Sequence, residues 1–103
     1  MKSEVTRRFE GDWGRLSEGE RELFRLVVRG DFHPACERRR LDPAAPWPAS
    51  LRVRSVEGAP GIWEMTWSFS GPDGRATFEW IALDGEPAIR WRRIGGHAIF
   101  GQP

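Results

Sequence analysis

Apolar residues in this chain of 103 residues keep a helical period up to about residue 30 and switch to a period of two from residue 51. Spacings of three and four lay one stripe along a helix, whereas alternation lays apolar side chains on one face of a strand. The order of the two patterns predicts helices first and a sheet second. A helix pair buries one face only and needs something to lie on. The expected class is therefore α+β: an N-terminal helix hairpin packed on one face of a four-stranded, mainly antiparallel sheet, in a single domain spanning 1–103.

Val5, Phe9, Trp13 and Leu16 form the first helical stripe, and Ser17 with Glu20 has the form of a capping box opening the second helix. Leu23, Phe24, Val27 and Val28 give that helix its apolar face, with Gly30 as its stop, so the hairpin is expected over 3–30. Residues 31–50 hold four prolines and read as a loop with room for a short helical turn around Ala35–Leu41. The run Arg38-Arg39-Arg40 within it is either a solvated face or a phosphate contact. Trp47 is either an exposed anchor for a partner or a ring folded back on the helices.

LRVRSV (51–56), IWEMTWSF (62–69), RATFEW (75–80) and AIRWRRI (88–94) read as the four strands, joined by turns at SGPDG (70–74) and LDGEP (83–87). Alternation puts Leu51, Val53, Trp63, Met65, Trp67, Phe69, Ala76, Phe78, Trp80, Ile89 and Trp91 toward the helices. The other face receives Arg52, Arg54, Glu64, Thr66, Ser68, Arg75, Thr77, Glu79, Arg90 and Arg92. No remaining segment is apolar enough to cover that face, which is expected to be open, with His97 just beyond the last strand.

Charge decides little in bulk: 16 Lys+Arg against 15 Asp+Glu leave a net charge of +1, so overall electrostatics give no case for nucleic acid. One cysteine cannot form an internal disulfide, no apolar run approaches a membrane span, and the first residues lack the apolar core of a signal peptide; a cytoplasmic protein is expected. Two histidines and one cysteine offer no metal-ligand spacing, and no cofactor motif is present. Six tryptophans without a tyrosine are read chiefly as core rings.

FEGDWGRLSEGERELF (9–24), LRVRSVEGAPGIWEMTW (51–67), GRATFEW (74–80) and IGGHAIF (94–100), in this order, resemble the RelE/ParE superfamily of bacterial toxin–antitoxin toxins. The resemblance covers most of the chain apart from 31–50. It implies a type II toxin held by a cognate antitoxin. In the ribonuclease branch the activity is metal-independent cleavage of mRNA on the ribosome, where basic groups hold the scissile phosphate and stabilise its developing charge. Arg75 matches the family's strand arginine, and His97 falls near its C-terminal acid/base or phosphate-binding position. Arg90 completes the charge clamp, while Arg52, Arg54, Arg92, Arg93 and Phe100 are candidate RNA contacts. Glu64 or Glu79 beside His97 would make a carboxylate–histidine pair. Two departures are physical: Glu64 and Thr66 stand where the best-studied branch has lysines, and Phe100 stands where many members have tyrosine. Both suit the alternatives, a ParE-like non-catalytic toxin binding a protein target such as DNA gyrase, or a non-toxic binding module.

Overall fold

The sheet's edge is made by three residues with no periodic signal. Ser3–Val5 form strand β1, which runs parallel to a strand near the other end of the chain, with Ser3 opposite Ile89, Glu4 opposite Arg90 and Val5 opposite Trp91. Val5 is thus a strand residue, although its spacing from Phe9 fits a helix. The computed structural model describes residues 1–68 and 73–103. After β1 come helices α1 (Arg7–Gly14), α2 (Glu18–Val27) and α3 (His33–Leu41), then β2 (Arg54–Ser55), β3 (Trp63–Ser68), β4 (Gly74–Leu83) and β5 (Glu86–Gly95). The strands lie in the order β1-β5-β4-β3-β2, all neighbours antiparallel except β1 and β5. The protein is α+β with a five-stranded mixed sheet; the expected four strands lacked β1.

Local chemistry explains most boundaries. Thr6 caps α1 by accepting the Phe9 N–H (3.1 Å) while donating its hydroxyl to the Arg92 carbonyl (2.7 Å), which joins the helix start to β5. At α2 the capping box is complete, with Ser17 Oγ accepting from Glu20 N and Glu20 Oε1 accepting from Ser17 N.

Gly30 does not stop the second helix. The backbone widens into one π-helical turn over Val28–Phe32, the His33 N–H reaching the Val28 carbonyl, and continues as α3. Pro34 has no N–H and its ring crowds the carbonyl four residues back, so a widened turn lets the chain remain helical through it. The expected loop at 31–50 is therefore half helix. Its remainder brings Trp47 back onto Phe32 in a stacked pair 5.6 Å apart, with the Arg39 guanidinium 4.9 Å from the Trp47 centroid.

The expected strand at 51–56 is cut to two residues: Ala49–Leu51 make a 3-10 turn and Arg52 takes a left-handed φ of 47°, which breaks the extension. The turn between β4 and β5 has positive φ at both Asp84 (53°) and Gly85 (77°), the geometry a two-residue hairpin favours. Phe69 and most of the expected turn at 70–74 lie outside the described residues.

Two bulges reset the alternation. Thr77 faces Arg93 and Phe78 faces Trp91, so Arg92 is an extra residue, and Ile94 turns into the core opposite Ala76. In β3, Thr66 faces Arg75 and Ser68 faces Gly74, which leaves Trp67 as the extra residue. Its ring fills the space a Cβ on Gly74 would need, and its indole N–H donates to the Arg75 carbonyl (2.9 Å). The core between helices and sheet centres on Phe24, Phe32, Phe78 and Trp91, edge-on or tilted to one another at 4.9 to 5.6 Å. Among the described residues no helix is long and apolar enough to cross a membrane.

Candidate functional site

Cross-strand register places the arginines of the polar face beside carboxylates. Arg54 lies opposite Glu64 and is ion-paired with it. Arg75 lies opposite Thr66, donates to its hydroxyl (2.8 Å) and pairs with Asp73 (3.3 Å), which Arg52 also approaches at 3.5 Å. Arg90 pairs with Glu4 of the neighbouring parallel strand (2.6 Å) and lies 4.0 Å from Glu79, which binds Arg92 at 2.6 Å. Arg93 forks onto both oxygens of Asp12 in α1, at 2.7 and 3.1 Å. All six arginines of the C-terminal half thus have a carboxylate within 3.5 Å.

The face is less open than its composition implies. Glu64, Thr66 and Thr77 are buried. The turn His97–Gly101 buries Ile99, and residues beyond it fold back, so that Thr77 and Arg92 both donate to the Pro103 carbonyl. His97 itself is exposed and touches Phe100 edge-on, 5.2 Å between ring centroids. Among the described residues no hydrogen bond or ion pair joins His97 to Arg75, Glu64 or Glu79. The structure brings together Arg75, Thr66, Asp73 and Arg52 as one cluster, and Arg90, Arg92, Glu79 and Glu4 as another. Arg93 belongs instead to the seam with α1.

That seam is well determined. Asp12 is buried where β1 has ended and β5 lacks a neighbour; its Oδ2 accepts the Ile94 N–H (3.1 Å) in place of a strand partner. Burial pushes its carboxyl up, but hydrogen bonds from Arg93 and the Ile94 N–H, with the charges of Arg93 and Arg15, outweigh this and hold it below the usual aspartate value.

A second region attracted no functional expectation. Between α1 and α2 runs a groove of about 430 Å³ whose walls are Val5, Phe9 and Trp13 on one side and Phe24 and Val28 on the other, over Trp91. These residues read as core in the sequence because a stripe on each helix is what a buried hairpin shows. Phe9, Phe24, Val28 and Trp91 are indeed buried, but Val5 on β1 is 42% exposed and Trp13 only half-buried. Glu10, Arg25 and Arg29 form the rim. Arg25 sits over the Trp13 ring at 5.2 Å and touches Glu22 weakly (3.4 Å), whereas Arg29 is exposed with no carboxylate partner among the described residues.

No family model, curated protein or solved structure matches this chain. Among the described residues no cluster of three His, Cys, Asp or Glu side chains is placed to hold a metal ion. The polar face offers a charge network in which each cation is already neutralised. The groove offers an apolar mouth, Val5 and part of Trp13, with Arg25 and Arg29 at its rim, which suits contact with an apolar, acid-flanked segment.

Proposed function

We propose that this chain is a non-catalytic, protein-binding module of the ParE-like kind, whose partner lays an amphipathic helix in the α1–α2 groove. One observation carries the reading: the groove leaves Val5 exposed and Trp13 partly exposed over a buried aromatic floor of Phe24 and Trp91, while the arginines expected to hold RNA are paired within the fold. The partner's apolar ridge would cover the rings, and carboxylates flanking it would meet Arg25 and Arg29. A cognate antitoxin is the partner that the RelE/ParE resemblance implies, and a protein such as DNA gyrase the target. Ribosome-dependent mRNA cleavage is the reading it competes with.

Induced expression in a bacterial host separates them. Growth arrest that survives Arg75→Ala/His97→Ala but is lost in Val5→Asp supports the binding module. The opposite pattern, with new mRNA 5′ ends in the arrested cells, would return the activity to the arginine face. Unimpaired growth with soluble wild-type protein would remove toxicity from the proposal.

A further inference from the structure

Trp80 is set apart from most of the chain's tryptophans. Trp13, Trp47, Trp67 and Trp91 are each held by another aromatic ring. Trp80, on β4, has no ring partner and no hydrogen bond on its indole N–H among the described residues, and it is half-buried. It forms one side of a cleft of about 290 Å³ between the end of α3 and the β4–β5 hairpin. Pro43 and Pro87 line the cleft with Trp80, and Arg39 and Arg40 complete it. Proline rings have fixed backbone angles and make stiff apolar walls, so the cleft suits a flat, rigid ring.

The two arginines differ. Arg39 is engaged with the Trp47 ring and the Ala45 carbonyl. Arg40 has only Glu37, one turn back, at 3.7 Å between two solvent-accessible groups; such a pair contributes little and exchanges readily. The preceding Arg38 is exposed with no partner among the described residues. Asp42, the acid nearest in sequence, is turned to the Ala44 N–H (3.0 Å) and closes the helix end. Trp80 packs partly against the core, and the part of its indole that lines the cleft lies beside an available guanidinium, the pairing that holds a nucleobase by stacking and its phosphate by charge.

We propose that this cleft binds a nucleotide, with the base stacked on Trp80 and the phosphate on Arg40. It shares no residue with the α1–α2 groove and stands or falls independently of the partner-binding reading. The guest is either a free mononucleotide or one unit of a single-stranded nucleic acid, since both present the same base and phosphate.

The test uses the full ¹⁵N-labelled chain and follows its six indole N–H resonances, assigned by Trp→Phe substitutions, during titration with AMP, a single-stranded octanucleotide and inorganic phosphate. An upfield shift of the Trp80 resonance with AMP supports the site and names a free nucleotide as its guest. The same shift with the octanucleotide alone supports it and names a strand. With binding measured by calorimetry, Trp80→Ala should weaken it roughly tenfold, and Arg40→Glu, at an exposed side chain, should weaken it at least severalfold. Nucleotide shifts confined to other tryptophans, an effect of phosphate without any effect of nucleotide on Trp80, or affinity unchanged in Arg40→Glu would each overturn the proposal.

Discussion

The arginine face and the α1–α2 groove share strand β5, yet they dispose of their side chains in opposite ways. On the face, cations and carboxylates alternate across strands at spacings that let each neutralise the next, as in Arg90, Glu79 and Arg92. In the groove, Phe9, Phe24 and Trp91 are buried against one another and against Trp13, but Val5 and part of the Trp13 ring at the mouth are left uncovered. A charge on a sheet can find its partner within the sheet, whereas an apolar ring is relieved only by being covered. A row of exposed arginines is therefore weaker evidence of a binding site than an uncovered aromatic groove.

Asp12 joins the two regions, because α1 forms one wall of the groove and is tied to β5 through Arg93 and the Ile94 N–H. Asp12→Ala is expected to have the largest effect, a loss of about 2–3 kcal/mol, since the Ile94 N–H loses its side-chain acceptor and the Arg93 guanidinium its carboxylate, keeping only the Gln102 carbonyl. Urea unfolding measures the loss, and faster hydrogen exchange at Ile94 localises it. The pH dependence has a definite sign. The folded-state pKa of Asp12 lies below its ordinary 3.8, so its contribution is fully present above that value and is lost as pH falls through the folded pKa. Between pH 5 and pH 2, the thermal midpoint of Asp12→Asn should fall less steeply than that of the wild type. Parallel curves would mean that the tie between groove and face carries no charge-dependent stability.

Gly74 reaches the groove from the other side. A Cβ there would lie 2.6 Å from the buried Trp67 ring, which packs edge-on against Phe24 at 5.9 Å. Gly74→Ala should cost about 1–3 kcal/mol, the usual result of overfilling a packed site. Gly11→Ala in α1, where nothing lies within 4 Å, should instead stabilise by about 0.5–1 kcal/mol through helix propensity. Equal effects at the two positions would show that the Trp67 ring gives way, and that groove and sheet are less tightly coupled than their packing indicates.

What was legible in the sequence was local. The capping box at Ser17 and Glu20 and the turn at Asp84-Gly85 each depend on residues within reach of one another, and both are present as read. β1 was not legible, because its three residues acquire a strand's geometry only from Ile89–Trp91, more than eighty residues away. A helical turn around Ala35–Leu41 was legible, but its continuity with α2 was not, because Gly30 and Pro34 both read as breaks and the widened turn that carries the helix past them has no signal of its own. The bulges at Trp67 and Arg92 carry no signal of their own, so faces assigned by strict alternation miss Ile94. All the arginines of the candidate site could be named from the sequence. Pairing with Glu64 and Glu79 follows from alternating charges on neighbouring strands, but Glu4, Asp12 and Asp73 become partners only once register and helix docking are set.

The smallest expected effect bears most directly on the face. Arg92 and Glu79 are partly exposed and pair at 2.6 Å, so a double-mutant cycle with Arg92→Ala and Glu79→Ala should give a coupling of about 0.2–1 kcal/mol. If this network is simply the way a sheet surface balances its charges, the stability change is the lesser outcome. Glu79→Gln/Glu64→Gln would leave Arg54, Arg90 and Arg92 with fewer counter-charges, and the protein should elute from heparin at higher salt than the wild type. That shift would mean the carboxylates are what keep the face from acting as an anion site. A wild type that already elutes at the salt required by the double variant would mean that the arginines bind anions despite their partners, and the contrast between face and groove would dissolve.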